Sequence, residues 1–79
     1  MSVFPNPSNG IFTIQSDLLR ENDAKVKMLD ISGREVDFKQ ISAGEHQISI
    51  DMNGVNAGWY IVKILSGNKT SLAKVNVVK

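Results

Sequence analysis

Short runs of Val, Ile, Phe and Thr recur about every ten residues along this chain, and Gly, Asn, Asp and Ser separate them. This spacing is typical of an antiparallel all-β domain, and no stretch sustains the period of an amphipathic helix. A sheet with one apolar face must pack that face against a second layer. The sequence therefore predicts a β-sandwich of six or seven antiparallel strands.

The chain has 79 residues and no cysteine. That length suits one domain, residues 1–79, which buries only roughly 60% of the surface of its unfolded chain. Because no disulfide restrains the unfolded state, apolar packing must supply most of the stability. No run approaches the roughly 20 apolar residues of a membrane helix, so we expect no direct membrane insertion. The start also lacks the charged-then-apolar pattern of a signal peptide.

The predicted strands follow the apolar runs, and we place them at 11–16, 24–30, 35–41, 45–51, 59–65 and 70–79. We expect the second and third of these strands to form a hairpin. The fifth is the most apolar run in the chain, so we expect a central strand that is covered on both faces. Leu18 and Leu19, in a polar loop, are expected to cover one end of the core, and Met52 and Val55 to anchor the long 52–58 connection.

The charge distribution along the chain is uneven. The last twenty residues contain four lysines and no acidic residue, although the net charge of the whole chain is only +1. The first 59 residues therefore carry five of the nine basic groups and all eight acidic groups, a net charge of −3 against +4. Because the basic stretch is also β-branched, it predicts a cationic strand rather than a disordered tail. We expect a partner to recognise this strand, through Lys74, Val75, Val77, Val78 and Lys79.

Lysines on an edge strand also have a purely structural role, because they discourage edge-to-edge aggregation. Several turn motifs likewise have a structural interpretation beside a functional one. Prolines fix φ and remove backbone donors, an aspartate can bond the amides of a turn, and glycines allow positive φ. We favour the structural interpretation for Pro5, Asn6, Pro7, Gly10, Asp30, Gly33, Gly58 and Tyr60.

Within that group, Tyr60 is expected to be buried with its hydroxyl bonded to the backbone, as in the corner tyrosines of sandwich folds. Its neighbour Trp59 could instead stack on a sugar ring. His46 is the only histidine, so neither a catalytic triad nor a zinc cluster can form around it. The scattered carboxylates do not form a calcium loop, and the near-neutral charge argues against nucleic-acid binding. We predict no enzymatic activity, no cofactor and no metal.

Four motifs occur in a fixed order along the chain, and together they resemble a known family. They are Phe4-Pro5-Asn6-Pro7 with Gly10 and Phe12-Thr13-Ile14, the turn 30–36, the segment 52–60 that contains Gly58-Trp59-Tyr60, and the lysine-bearing last strand. This pattern is similar to the C-terminal sorting domain, type A, of proteins exported by the type IX (Por) secretion system of Bacteroidetes. The resemblance begins at about Val3 and covers nearly the whole chain, so Met1 and Ser2 are candidates for residues added at its start. Met52 and Val55 depart from the family, since leucines are common there.

The resemblance implies an immunoglobulin-like sandwich at the C-terminal end of a larger cargo protein. It further implies passage through the periplasm, recognition by the translocon and by outer-membrane shuttle or attachment components, and removal at the cell surface. For the mechanism, we expect an open strand edge that extends a sheet of the partner, with lysines that orient the encounter. Such an edge also allows a dimer through strand edges.

Two other functions compete with this interpretation. A carbohydrate-binding or adhesive module of an extracellular enzyme would use Trp59 as its contact residue. A spacer domain would tolerate loss of the terminal lysines without any effect on trafficking.

Overall fold

A computed structural model describes residues 1–52 and 54–78 of the chain. The described residues form seven strands and a single turn of 3-10 helix at Asp17–Arg20. The strands are β1 (Ser2–Phe4), β2 (Ile11–Gln15), β3 (Lys25–Asp30), β4 (Lys39–Ala43), β5 (Gln47–Asp51), β6 (Gly58–Ser66) and β7 (Lys69–Val77).

The strands form two antiparallel sheets. One has four strands in the order β1-β2-β5-β4, and the other has three in the order β3-β6-β7. Alternate residues of each central strand are buried, so each sheet turns one apolar face towards the other. This arrangement confirms the prediction of an all-β sandwich.

The core lies between the sheets and draws on both of them. Its buried apolar residues are Phe12, Ile14, Met28, Ile48, Ile50, Met52, Tyr60, Val62, Ile64, Val75 and Val77. Leu18, Leu19 and Val55 pack against this core while partly buried, as the sequence predicts. A small sandwich without disulfides depends on this burial for its stability.

The prediction that β6 is covered on both faces is wrong. Tyr60, Val62 and Ile64 are buried, but Trp59 is exposed and Ile61 is only half-buried. β6 is central in its sheet, yet a two-layer sandwich covers only one face of each sheet. Its continuous apolar run is therefore not explained by burial alone.

The predicted hairpin between the second and third strands is also wrong. Only a single bridge, Leu29 to Glu35, follows the turn, and the chain then crosses to the other sheet, where β4 pairs with β5. The Val36 amide still donates to the Met28 carbonyl (2.8 Å), and Val36 and Phe38 pack against the core from this crossing segment. Val36 and Phe38 alternate with polar residues as the residues of a β-strand do. An extended segment that crosses between two sheets shows this same two-residue alternation, although it forms no continuous ladder with another strand.

The sequence pattern missed β1, a strand of three residues that pairs with β2 at the edge of the four-stranded sheet. A segment this short carries no periodicity of its own. The described residues include no helix that is long and apolar enough to cross a membrane.

Candidate interaction site

β7 lies at the edge of the three-stranded sheet, where β6 is its neighbouring strand. The structure separates the five residues that the sequence assigns to a partner contact. Val75 and Val77 have 0% and 1% of their surface exposed, so their side chains belong to the core. The side chains of Lys74 and Val78 are exposed, and Lys79 lies outside the described residues. A partner at β7 would therefore meet backbone and lysine rather than the two buried valines.

The C-terminal half of the β7 edge is closed by the segment near the N-terminus. The side-chain amide of Asn6 donates to the carbonyl of Lys74 (3.3 Å), and its oxygen accepts from the amide of Asn76 (3.1 Å). The Ser8 amide donates to the carbonyl of Asn76 (2.8 Å), and the Val78 amide donates to the carbonyl of Ser8 (2.7 Å). Asn6 and Ser8 thus act as a short extra strand on β7.

The N-terminal half of the same edge is open. In an antiparallel pair, both backbone groups of a residue point to the same side, and the side alternates along the strand. The backbone amide and carbonyl of Asn76 bond to Asn6 and Ser8, on the side away from β6. Leu72 and Thr70 lie an even number of residues earlier in the strand, so their backbone groups point to that side as well. Within residues 1–52 and 54–78, no other strand pairs with them. We call the outward backbone groups of Thr70 and Leu72, with the amide of Lys74, the open edge.

Ser8 anchors the segment that carries Asn6. Ser8, which is 1% exposed, donates its hydroxyl to the carbonyl of Ile11 (3.0 Å) and accepts from the amide of Gly10 (3.0 Å). The Gly10 carbonyl accepts from the Met52 amide. The segment bonds to the last strand in addition to seating β2. That role could not be read from the sequence, because the partners of Asn6 lie about 70 positions away.

Asp30 organises the turn after β3. One carboxylate oxygen accepts from the Ser32 hydroxyl (2.6 Å), the Ser32 amide (2.9 Å) and the Arg34 amide (3.0 Å). These bonds, with the Ser32 hydroxyl foremost, hold the pKa of Asp30 below its ordinary value. Gly33 has a φ of 91°, which explains the glycine there. Both expectations for this turn, the Asp30 bonds to turn amides and the positive φ of Gly33, are confirmed.

Asp23 supports the opposite end of the sheet, at the turn between β6 and β7. Its carboxylate accepts from the Ser66 hydroxyl (2.7 Å) and from the Gly67 amide (3.0 Å). The bond from Ser66 is the main reason that the pKa of Asp23 lies below its ordinary value. Sequence analysis did not identify this contact, which fixes the start of β7 and so the position of the open edge.

Tyr60 is buried, and its hydroxyl donates to the carbonyl of Asn56 (2.7 Å). This confirms the structural role expected for the tyrosine. Gly58 begins β6 with a φ of 150°, and a β-carbon placed on it would meet nothing within 4 Å. Backbone conformation, and not a tight approach, therefore explains this glycine.

Trp59 is 51% exposed beside a shallow groove of about 380 Å³. The groove is lined by Ile31, Trp59, Tyr60, Ile61 and Lys74. Among the described residues there is no group of three or more His, Cys, Asp or Glu side chains placed to hold a metal ion. The exposed features of this region are thus a strand edge, an aromatic ring and lysines.

Comparison with protein families identifies the chain. A family model described as the secretion system C-terminal sorting domain matches residues 2–79. The chain belongs to this family. Its sorting domain is a signal for type IX secretion, as the resemblance indicates. A search of curated proteins finds no match for the sequence.

Membership of the family has consequences for partners and location. A sorting domain implies association with a cargo protein and with the type IX secretion machinery. It also implies export to the cell surface or release from the cell. Sorting-signal domains are not a catalytic family. A site on such a sorting domain is therefore expected to be a surface for contact with other proteins.

Proposed function

We propose that the type IX machinery recognises this sorting domain at the open edge of β7. An unpaired strand edge offers a row of backbone donors and acceptors, to which a strand of a partner can add. The observation that carries this proposal is the asymmetry of β7: Asn6 and Ser8 occupy one half of its edge, and the half at Thr70 and Leu72 is unoccupied.

Charge supports the same location. Lys74 and Lys63 lie on or beside β7, and neither β6 nor β7 contains an acidic residue. Lys69, at the start of β7, pairs with Glu21 (3.2 Å). Lysines around an edge steer an acidic partner and orient its approach, mainly by raising the association rate. The buried Val75 and Val77 have an indirect part, since they hold the strand in place, while Lys74, Val78 and Lys79 remain candidates for direct contact.

The finer steps of export form part of the same proposal. The domain passes through the periplasm attached to an N-terminal cargo domain, meets the translocon and outer-membrane shuttle or attachment components, and is removed at the cell surface. The domain's own contribution is a folded structure that keeps one strand edge available throughout. Its two-layer core needs no residue of the cargo, which supports folding independent of the cargo.

The test is a secreted reporter fused ahead of the domain in a bacterium that has type IX secretion. Leu72→Pro removes an outward amide from the open edge, and an edge strand tolerates proline at such a position. Ile41→Pro is the matched control, because it places proline at an exposed apolar residue in the irregular part of β4, an edge strand of the other sheet. We expect the control to reach the surface and Leu72→Pro to remain in the periplasm. Surface delivery of a folded Leu72→Pro fusion at the native level would refute the proposal.

The exposed ring of Trp59 keeps a carbohydrate-binding module as a second candidate. Sugar sites usually place hydrogen-bonding side chains beside the stacking ring, whereas this groove offers Ile31, Ile61 and one lysine, and the Tyr60 hydroxyl is already bonded to Asn56. Saturable binding on a glycan array, abolished by Trp59→Ala, would favour this candidate. A second copy of the chain could also occupy the open edge, and sedimentation of the isolated domain tests for such a dimer.

A further inference from the structure

The outer face of the three-stranded sheet combines lysines with apolar side chains. Tyr60, Val62 and Ile64 point into the core, so the alternate residues of β6 and their cross-strand partners point outward. We call this surface the lysine face. It consists of Lys25, Lys27 and Leu29 on β3, Trp59, Ile61, Lys63 and Leu65 on β6, and Thr70, Leu72, Lys74 and Asn76 on β7.

The charges on this face are nearly all of one sign. Lys27 makes an ion pair with Glu35 (3.1 Å), and both side chains are substantially exposed. The amines of Lys25, Lys63 and Lys74 lie within 4.0 Å of no carboxylate of the described residues. The face therefore carries positive charge that the fold itself does not neutralise.

The register of the strands makes this arrangement unfavourable for the isolated domain. Lys27 and Lys63 are directly opposite each other on β3 and β6, and like charges in that position destabilise a sheet. Leu72 lies on the other side of Lys63 and is 62% exposed. Glu35 pairs with Lys27, but Lys63, in the central strand, has a lysine on one side, an exposed leucine on the other and no carboxylate partner among the described residues. A binding partner explains this arrangement better than folding does.

The other outer face of the sandwich provides an internal comparison. There, the Thr13 and Ser49 hydroxyls hydrogen-bond to each other (3.0 Å), and the Gln15 amide donates to Gln47 (3.5 Å). Neutral polar side chains that satisfy one another are what a solvated sheet face requires. That face also exposes Phe4 and Ile11. Its cross-strand charges are of opposite sign, because Lys39 lies opposite Asp51 there, whereas Lys27 lies opposite Lys63 on the lysine face.

We propose that the lysine face is a docking surface for a folded protein of the secretion machinery that presents carboxylates among apolar side chains. This inference rests on the proposed function and extends it from a strand edge to a whole face. The open edge borders the face at Thr70, Leu72 and Lys74, so a strand added there continues the same surface. Carboxylates of the partner neutralise the unpaired lysines, and its apolar side chains cover Leu72, Ile61 and the groove beside Trp59.

An anionic membrane would satisfy the lysines but not most of the apolar side chains of the face. Binding in the membrane interface requires an apolar face that enters about 5–10 Å into the lipid. On this face Trp59 and Leu72 are exposed, but Leu29, Ile61 and Leu65 are half-buried between their neighbours and do not project in this way. A protein surface of matching shape can reach them, which is why we choose a protein as the occupant.

The test combines site-specific photocrosslinking with one charge reversal. A photoreactive residue is placed at Leu72 or Ile61 on the lysine face, and at Thr13 or Gln47 on the other face, in the full reporter fusion during export. We expect crosslinks from the first pair to a machinery protein, at a segment that contains Asp or Glu beside apolar residues. We expect at least about tenfold less from the second pair, because the docking contact excludes that face.

Lys63→Glu separates docking from folding. It replaces the repulsion with Lys27 by attraction, so the melting temperature of the domain should stay the same or rise. The crosslink yield from Leu72 should nevertheless fall by about tenfold or more, because the reversed charge faces carboxylates of the partner. Arg20→Glu is the matched control, with the same change in charge at an exposed residue of the 3-10 helix, and should leave the crosslink unchanged.

Each contrary outcome has a clear meaning. Equal crosslinking from both faces, or an unchanged yield in Lys63→Glu, would overturn the docking surface while leaving the open edge as the proposed site. Crosslinks to lipid, with sedimentation of the purified domain on vesicles of anionic phospholipid that Lys63→Glu abolishes, would make a membrane the occupant and also overturn it. Failure of the native fusion to reach the surface would instead refute the proposed function, and this inference with it.

Discussion

The side-chain oxygen of Asn6 accepts a hydrogen bond from the backbone amide of Asn76, 70 residues further along the chain. Through this contact, the first turn of the domain closes half of the edge of its last strand. The other half, at Thr70 and Leu72, has no strand beside it among residues 1–52 and 54–78. A strand that is anchored at one end and open at the other is suited to selective pairing with a partner.

Asn6→Ala should destabilise the isolated domain by about 1 kcal/mol, because two hydrogen bonds to β7 are lost. Denaturant unfolding measures the loss. Asn68→Ala is the matched control, since Asn68 lies in the exposed turn between β6 and β7 and makes no hydrogen bond to the described residues. An equal effect from both substitutions would show that Asn6 has no special role.

Tyr60→Phe should also destabilise the domain by about 1 kcal/mol, since it leaves the Asn56 carbonyl without its partner. The ring stays in the core, so the melt should remain cooperative. A phenylalanine variant as stable as the native domain would mean that the hydroxyl bond contributes nothing.

Removal of residues 75–79 should unfold the domain. Each of the buried valines Val75 and Val77 contributes about 1.5–3 kcal/mol, and a domain of this size has only about 3–5 kcal/mol in total. Circular dichroism should show a broad, uncooperative melt for the shortened chain. Loss of export by this truncation would therefore report unfolding and not loss of recognition, so Leu72→Pro at the open edge is the more specific test.

A cooperative melt of the truncated domain would contradict the assignment of both valines to the core.

Stability should fall in acid because of Asp23 and Asp30. In the folded domain, hydrogen bonds hold the pKa of both carboxylates below the ordinary value of 3.8. A lowered pKa means that their contribution is present above the unfolded pKa and disappears as the pH falls through the folded pKa. Melting temperatures should therefore be nearly constant down to about pH 5 and fall below about pH 4.

Asp23→Asn should reduce this acid sensitivity, and Asp17→Asn is its control, because Asp17 is exposed and makes no hydrogen bond to the described residues. NMR titration of the carboxyl groups measures the two pKa values directly. If Asp23 and Asp30 titrate at or above 3.8 in the folded domain, the stabilising role of their hydrogen bonds is wrong.

The sequence predicts those parts of the fold that depend on local patterns. Alternation identifies β2 and β5 with their buried faces, and the turn chemistry of Asp30 and Gly33 can be read directly. Alternation alone cannot tell whether an extended segment has a neighbour, which is why the crossing segment around Val36 is mistaken for a strand. Periodicity reports which face is apolar, and pairing is decided by contacts distant in sequence.

The candidate site, too, is only partly predictable from local sequence patterns. The lysine-rich last strand is visible in the sequence, but the closure of its edge by Asn6 and Ser8 is not. Nor is the lysine face, since Lys25 and Lys27 join Lys63 and Lys74 only through the register of β3 on β6 and of β6 on β7. The lysine face becomes visible in the sequence only when the outward residues of β3, β6 and β7 are aligned in the correct strand order.

Amide hydrogen exchange at β7 tests the central claim most directly. In the free domain, the Leu72 amide should exchange rapidly because it lies on the open edge, and the Asn76 amide slowly because Asn6 accepts its hydrogen bond. When the domain is bound to the secretion machinery purified from its host, the Leu72 amide should become protected while Asn76 changes little. Rapid exchange at both amides in the free domain, or no protection of Leu72 in the complex, would contradict recognition through the open edge.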